Sequence, residues 1–371
     1  MVSALGFGCM RLPVIGNDPT NIDEDKALGM LRYAIDAGVN YVDTAYPYHG
    51  TGFTQGGASE LFVAKALKDG YRQKVNVATK LPSWLVKTRA DMDRYLDEQL
   101  ARLETDVIDF YLVHNLNKGV WPILKAAGID EFLGQAIKDG RIRYAGFSFH
   151  DQVGLFKEIV DYYDWSFCQI QYNYLDENYQ AGREGLEYAA RKGLGVAIME
   201  PLRGGNLVRL PAAAQAVFDR AEVKRTPAEW ALSWVLNHPE VSVVLSGMTT
   251  IEQVAENIRV ARQAAANSLT AQEIALVGEV KQLFTERIKV NCTACGYCLP
   301  CPAGIHIPTC LAIYNDYYVF DGTPEAKQRY GIITNFAAPA SKCVECGKCE
   351  SHCPQGLEIR KELKNIKALF E

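Results

Sequence analysis

Up to about residue 265 the apolar positions follow two alternating patterns. Short continuous runs read as buried strands, and longer stretches with three-to-four spacing read as amphipathic helices. The strand-like runs are Leu5–Met10, Asn40–Ala45, Val75–Lys80, Val107–His114, Tyr144–Phe149, Phe167–Tyr172, Gly195–Pro201 and Val241–Leu245. Helical stretches follow them at Asp23–Ala37, Ser59–Lys68, Arg89–Leu103, Asp130–Lys138, Val153–Tyr162, Glu184–Arg191, Pro227–Leu236 and Ile251–Ala264. Thr226-Pro227 suits the N-cap and first position of its helix. Eight strand–helix pairs in about 260 residues predict an α/β fold, a (β/α)8 barrel. An open doubly wound sheet competes, but no GxGxxG follows a strand to support it.

Beyond the barrel the pattern changes. A helix is predicted from Leu269 to about Ile288, where Thr270 and Glu273 make a capping box. Two cysteine runs follow. Cys292, Cys295, Cys298 and Cys301 are each three apart and end in Cys301-Pro302; Cys343, Cys346, Cys349 and Cys353 end in Cys353-Pro354. The 41 residues between Cys301 and Cys343 are predicted to be helical, with apolar stretches at Ile313–Phe320 and Thr323–Tyr330.

Composition narrows what this module is. Of eleven cysteines, nine fall between Cys292 and Cys353, and no secretory signal is readable at the N-terminus. In a chain expected in the reducing cytoplasm, such a cluster reads as metal binding before it reads as disulfides. Two quartets ending in Cys-Pro are the signature of two [4Fe–4S] clusters. Three closely spaced thiolates wrap one cluster and the fourth ligand comes from the other quartet. Cys292, Cys295, Cys298 and Cys353 are therefore expected to hold one cluster, and Cys343, Cys346, Cys349 and Cys301 the other. Zinc is the rival metal, but its sites use two separated cysteine pairs rather than runs of four. Cys9, Cys168 and Cys310 are expected to be core residues. A net charge of −5 gives no sign of a nucleic-acid partner, and no apolar run is long enough to span a membrane.

In a barrel of this kind the chemistry sits at the C-terminal strand ends. Asp43, Tyr46 and Tyr48 follow the second strand, Lys80 ends the third, and His114 ends the fourth. Such a set suits proton donation to a carbonyl. Tyrosine is a weak acid at neutral pH, and an adjacent ammonium at Lys80 would lower its pKa, with Asp43 holding the lysine ionised. His114 would orient the carbonyl oxygen.

The segments GVNYVDTAYPYHG, ATK and DFYLVHN resemble the aldo-keto reductase family, over residues 3 to 265. The resemblance implies that Asp43, Tyr48, Lys80 and His114 form a catalytic tetrad with Tyr48 as proton donor, its spacing from Asp43 selecting it over Tyr46. It also implies a nicotinamide dinucleotide across the barrel mouth. Ser148 and Gln169 would meet the carboxamide. Pro201, Leu202, Arg203, Gly204 and Gly205 would lie on the pyrophosphate. Ser246, Gly247, Met248, Thr249, Gln253, Glu256 and Asn257 would surround the adenosine, where free N–H groups at the helix start near Thr249-Thr250 attract phosphate. Neither Gly247 nor Gln253 is basic, so NADPH and NADH both stand as candidates. The inserted stretch His49–Gly57 is a candidate wall of the substrate pocket.

The C-terminal part resembles a mainly α-helical two-cluster ferredoxin-like domain, and the whole chain is similar to a subgroup of aldo-keto reductases carrying such a tail. The expected domains are 1–265 for the barrel, 266–290 for a connecting helix and 291–371 for the cluster domain. Three functions fit. One is NAD(P)-linked reduction of a small-molecule carbonyl, or the reverse alcohol oxidation, with clusters that are structural or coupled. Another is a reductase of a non-carbonyl acceptor fed by an external ferredoxin or flavodoxin. The third is an electron-transfer or partner-binding iron–sulfur protein with the barrel as scaffold.

Overall fold

A computed structural model describes residues 1–371 apart from positions 17, 293–295, 323 and 354. Eight parallel strands close into a barrel in chain order: β1 (Leu5–Gly8), β2 (Tyr41–Asp43), β3 (Asn76–Leu81), β4 (Ile108–Leu116), β5 (Ile142–Phe149), β6 (Phe167–Gln171), β7 (Gly195–Met199) and β8 (Val243–Gly247). β8 pairs back onto β1, with Leu5 opposite Val244 and Phe7 opposite Ser246. The strands are near-continuous apolar runs because helices cover one face and the barrel interior the other. All eight strands lie where the apolar runs predict them, with ends shifted by a few residues.

The first ten helices are α1 (Glu24–Asp36), α2 (Ala58–Ala66), α3 (Arg89–Arg102), α4 (Trp121–Ala126), α5 (Ile129–Lys138), α6 (Val153–Tyr162), α7 (Gly182–Arg191), α8 (Ala212–Phe218), α9 (Pro227–Leu236) and α10 (Ile251–Gln263). Two of them, α4 and α8, carry no readable signal. α4 is six residues long, and α8 is alanine-rich with no apolar stripe. Thr226 caps α9 as expected, its hydroxyl accepting from the Glu229 N–H while Glu229 reaches back to the Thr226 N–H.

The barrel floor is filled by aromatics. Tyr41, Phe110 and Phe167 stand with Phe110 5.1 Å from each of the other two ring centroids, and Leu112, Val243 and Leu245 complete the layer. Two glycines leave the necessary room. A Cβ on Gly146 would stand 2.4 Å from the Phe167 ring, and one on Gly6 would stand 2.6 Å from a Leu245 methyl.

The chain divides into two compact units, Met1–Val208 with Arg225–Ala271, and Arg209–Lys224 with Gln272–Glu371. The second unit gathers α8 with α11 (Ala271–Glu286), α12 (Ile307–Val319), α13 (Pro324–Ile333), α14 (Lys348–Ser351) and α15 (Ile359–Phe370). Arg220, just after α8, donates to both carboxylate oxygens of Glu279 at 2.6 Å. The core of the unit is Ile305, Ile307, Leu311, Ile313, Leu363 and Ile366, with Tyr330 stacked on Phe370 at 4.9 Å. α12 starts six residues before the predicted Ile313, because Pro308 fits the first turn of a helix. Position 323, where the next helix is predicted to begin, lies outside the described residues. Among the described residues no helix is long and apolar enough to cross a membrane.

All five tryptophans lie in the first unit, so their fluorescence reports the barrel alone. Gly146→Ala forces the Phe167 ring to move within a filled layer, and should destabilise the barrel by about 1–3 kcal/mol. A urea titration followed by tryptophan fluorescence checks this; an unchanged midpoint would contradict the packing described for the floor.

Candidate functional site

β2 and β3 pair in register, with Asp43 opposite Ala78, and this sets Asp43 and Lys80 side by side at the barrel mouth. Lys80 is wholly buried. Its Nζ donates to Asp43 Oδ1 at 2.7 Å, to Asp43 Oδ2 at 2.8 Å and to the Thr44 carbonyl at 2.8 Å. The same Nζ lies 3.4 Å from the Tyr48 hydroxyl. Burial disfavours the ammonium, but Asp43 and the nearby Tyr48 outweigh it and hold the Lys80 pKa above its ordinary value. Burial likewise pushes the Asp43 carboxyl up, against the pull of Lys80.

For Tyr48 the net direction differs from the expectation. Burial pushes its phenol above the ordinary value, and the Lys80 charge and hydrogen bond offset that only in part. Desolvation of a phenolate outweighs one cation at this distance, so the phenol stays protonated at neutral pH. Tyr46 is turned away: its hydroxyl donates to Glu98 at 3.0 Å, and burial followed by Glu98 raises its pKa to about 12.

His114 joins this group through a break in β4. Pairing with β5 shifts register between Val113 and Leu116, and Asn115 takes a left-handed φ of 55°. Such a bulge re-aims the side chain beside it. The His114 ring stands 6.1 Å from Tyr48 and 5.2 Å from Trp84, and among the described residues its buried Nδ1 has no hydrogen-bond partner. Burial, then Lys80 and His150, depresses its pKa well below the ordinary histidine value, so the ring is neutral at pH 7.

A buried polar network backs the lysine. Glu60 on α2 accepts from Thr79 at 2.7 Å, from Gln99 at 2.8 Å and from Arg102 at 2.8 Å, while Gln99 also donates to the Lys80 carbonyl at 3.1 Å. Arg102 further binds the Gly57 carbonyl. Gly57 closes the inserted stretch onto the Tyr48 turn, and a Cβ there would stand 2.1 Å from the Tyr48 carbonyl oxygen. Only glycine lets the chain pass so close. Trp84 Nε1 donates to the Phe53 carbonyl at 2.8 Å, which fastens the insertion beside His114.

The remaining barrel-mouth residues are also accounted for. Ser148 Oγ accepts from the Asn115 N–H at 2.7 Å, tying down the bulge. Gln169 donates to the Met199 sulfur at 3.4 Å, and its buried Oε1 has no partner among the described residues. After β7, Pro201 and Leu202 lead into Arg203, Gly204 and Gly205, all three at positive φ, with Arg203 Nε 3.1 Å from Asp176. Asn257 donates to Ser246 Oγ at 2.9 Å, and Glu256 accepts from Thr226 at 2.6 Å. Two of the N–H groups expected to be free near the start of α10 are engaged. Thr249 N–H donates to Gln253 Oε1 at 2.8 Å, and Gln253 N–H lies 3.4 Å from Thr250 Oγ1. Met248 is buried and Gly247 exposed. A Cβ at Gly247 would stand 3.0 Å from Arg11 Cδ, and one at Gly204 would stand 3.4 Å from Arg11 Nη2. Arg11, in the loop after β1, thus lies beside both glycines.

In the second unit the cysteines line two cavities. Cys292, Cys298 and Cys353 line one together with Leu311, Leu357 and Ile359. Cys301, Cys343, Cys346 and Cys349 line the other, which Cys298 also borders. Cys295 and Pro354 lie outside the described residues. None of the described cysteines is in a disulfide, and Cys9, Cys168 and Cys310 are buried. Among the described residues no group of three His, Cys, Asp or Glu side chains converges to hold a single metal ion. Three described thiols around one cavity and four around the other are the donor chemistry of iron–sulfur groups. His306 contacts Thr309 at 2.7 Å at the start of α12, and His352 ends α14.

The family model described as the aldo/keto reductase family matches residues 4–282. The chain belongs to the aldo/keto reductase family. A 4Fe-4S dicluster domain matches residues 291–357, so this aldo/keto reductase carries an iron–sulfur domain C-terminal to its barrel in the sequence. Over 292 residues it is 27% identical to a probable aldo-keto reductase of Glycine max, covering 69% of this chain and 80% of that one. It resembles the holo form of an aldo-keto reductase from Bacillus halodurans, with a TM-score of 0.60, 28% identity and coverage of 75% and 92% of the two chains. The fold is shared with an aldo-keto reductase from Klebsiella pneumoniae solved in complex with NADPH, at a TM-score of 0.60, 23% identity and coverage of 76% and 91%. The protein is accordingly an oxidoreductase.

Trp84, Arg11 and the Glu60 network escape the sequence reading of this aldo/keto reductase. Only the placement of Trp84 four residues past Lys80, and of a lone arginine just after β1, offered a signal.

The barrel histidines His49, His114, His150 and His238 all have pKa values lowered by burial. Unfolded, each binds a proton near pH 6.5, whereas the folded protein resists it, so stability is complete above that pH and falls below it. Lowering the pH from 7.5 to 5.5 should lower the urea midpoint of tryptophan fluorescence. His114→Phe should recover up to about 1.4 kcal/mol of that loss; an equal loss in the variant would contradict the buried neutral ring.

Proposed function

We propose that the barrel reduces a small-molecule carbonyl with NADPH or NADH, or runs the reverse alcohol oxidation, with Tyr48 as the proton donor. The observation that carries this reading is the wholly buried Lys80 bridging Asp43 and the Tyr48 hydroxyl. When bound, the nicotinamide supplies a hydride and each cluster a one-electron store. The residues do the rest. Tyr48 gives its phenolic proton to the carbonyl oxygen, and Lys80 stabilises the phenolate left behind. Asp43 keeps Lys80 charged and fixes it. Neutral His114 donates a ring N–H to the same oxygen and orients it.

The orphaned Gln169 Oε1, with Ser148 beside it, suits a primary carboxamide. Pro201 to Gly205, with Ser246, Gly247, Met248, Thr249, Gln253, Glu256 and Asn257, are the residues that would border the rest of the dinucleotide. Along the chain, residues 1–265 are the proposed catalytic domain, 266–290 the connection and 291–371 the cluster domain, with Arg209–Lys224 grouping with the second unit. Two [4Fe–4S] clusters are held by Cys292, Cys295, Cys298 and Cys353 and by Cys301, Cys343, Cys346 and Cys349. The placement of the described members of each set around separate cavities supports this division. A cytoplasmic location suits clusters with exposed ligands.

A hydride carries both electrons at once, so carbonyl reduction draws none from the clusters. The exposed Cys346 favours a second reading, in which an external ferredoxin or flavodoxin feeds electrons through the clusters. Anaerobic oxidation of NADPH and NADH with 4-nitrobenzaldehyde separates the two. Wild type should turn over, Tyr48→Phe should lose at least about 100-fold with its cluster absorbance intact, and Cys298→Ala should keep its rate. Retained turnover in Tyr48→Phe would sink the proton-donor assignment, and loss in Cys298→Ala would favour the second reading.

A further inference from the structure

We infer that Arg360 makes the two iron–sulfur clusters unequal, holding the cluster of Cys301, Cys343, Cys346 and Cys349 at the higher reduction potential. This rests on the two-cluster reading above. The two cavities differ in their walls. Around Cys292, Cys298 and Cys353 the other described lining residues are uncharged: Pro308, Leu311, Leu357 and Ile359, with Gly296 and Gln355. The second cavity has one charged side chain in its described lining, that of Arg360.

Arg360 stands on the first turn of α15, and its guanidinium is held in place. Nε and Nη2 lie 2.8 and 2.7 Å from Glu350 Oε2, and Nη1 lies 3.5 Å from the Glu345 carbonyl oxygen. The Arg360 backbone N–H also donates to Glu350 Oε1 at 2.8 Å. Gly347 offers no side chain to block the approach; Arg360 Cζ would be 3.8 Å from a Cβ there. Glu350 holds the guanidinium without lining the cavity, so Arg360 is the charged group in the cavity wall.

A four-thiolate [4Fe–4S] cluster is an anion, and reduction adds one more negative charge. A fixed cation at its edge favours the reduced form, as does access of water. The cation stands at one cluster only. Of the described ligands Cys346 is exposed, and those remaining in both sets are half-buried. The apolar lining of the first cavity opposes added charge. Lys342 and Lys348 are exposed and screened by solvent, and Lys364 is paired with Glu345 at 2.8 Å, so the guanidinium is the cation that discriminates. An electron entering the unit therefore settles on the cluster beside Arg360.

The test is an anaerobic dithionite titration of the full-length, cluster-loaded protein, followed by electron paramagnetic resonance. Two one-electron waves are expected, and Cys346→Ser, which alters a ligand of one cluster only, marks the wave at higher potential. Arg360→Gln should shift that wave alone to more negative potential, Glu350→Gln should shift it to more positive potential, and Arg360→Lys should restore most of the native value. The inference is overturned if Arg360→Gln moves neither wave, both equally, or the unmarked one. Should Arg360→Gln fail to load both clusters, Glu350→Gln decides, and no positive shift of the marked wave overturns it. Iron content other than four atoms for each of two clusters in the native protein would instead refute the two-cluster reading.

Discussion

A lysine ammonium sealed from water at the mouth of a closed barrel is the constraint around which the first unit is arranged. An unpaired ammonium in that position would cost several kcal/mol and would shed its proton. Asp43 prevents this with two short hydrogen bonds from adjacent β2, and the Thr44 carbonyl takes the third proton. The charge is therefore permanent, and the Tyr48 hydroxyl is the group close enough to use it without a full ion pair. Burial holds the pKa of a phenol in that place up while Lys80 eases the cost of the anion, so in the proposed reaction it keeps its proton until the carbonyl oxygen takes it.

The barrel supplies the precision this needs. Parallel register across β2 and β3 fixes the Asp43–Lys80 spacing, and the β4 bulge fixes His114 against the Ser148-bound Asn115. The Glu60, Gln99 and Arg102 network holds the outer side of β3 and the end of the Tyr48 turn together. Side chains locked by packing and hydrogen bonds hold reacting groups within the tolerance that proton transfer demands.

Much of this was legible in the sequence, and for identifiable reasons. Strands buried on both faces leave continuous apolar runs, so all eight were readable, as was the capped start of α9 at Thr226. Asp43, Tyr48, Lys80 and His114 meet because strand ends converge in any closed barrel, and their order along the chain showed which ends they occupy. Two cysteine quartets marked the iron–sulfur domain by their spacing alone. What stayed hidden depends on distance across the fold. The alanine-rich α8 has no stripe to betray it, Arg11 reaches Gly204 and Gly247 from a loop far away in sequence, and the sign of the Tyr48 shift turns on burial that no local pattern encodes. Arg360 lies among mixed charges on an amphipathic helix and shows its role only beside the cavity it lines.

Hydride chemistry moves electrons in pairs and iron–sulfur chemistry moves them singly, so the two halves are read here as separate devices on one chain. That view stands on Lys80. The most direct test is the single-turnover rate of hydride transfer from bound NADPH to 4-nitrobenzaldehyde in Lys80→Met, measured anaerobically beside the affinity for the nicotinamide. The account predicts a rate at least about 100-fold lower with cofactor affinity and cluster absorbance unchanged. A rate within a factor of about three of wild type would contradict it.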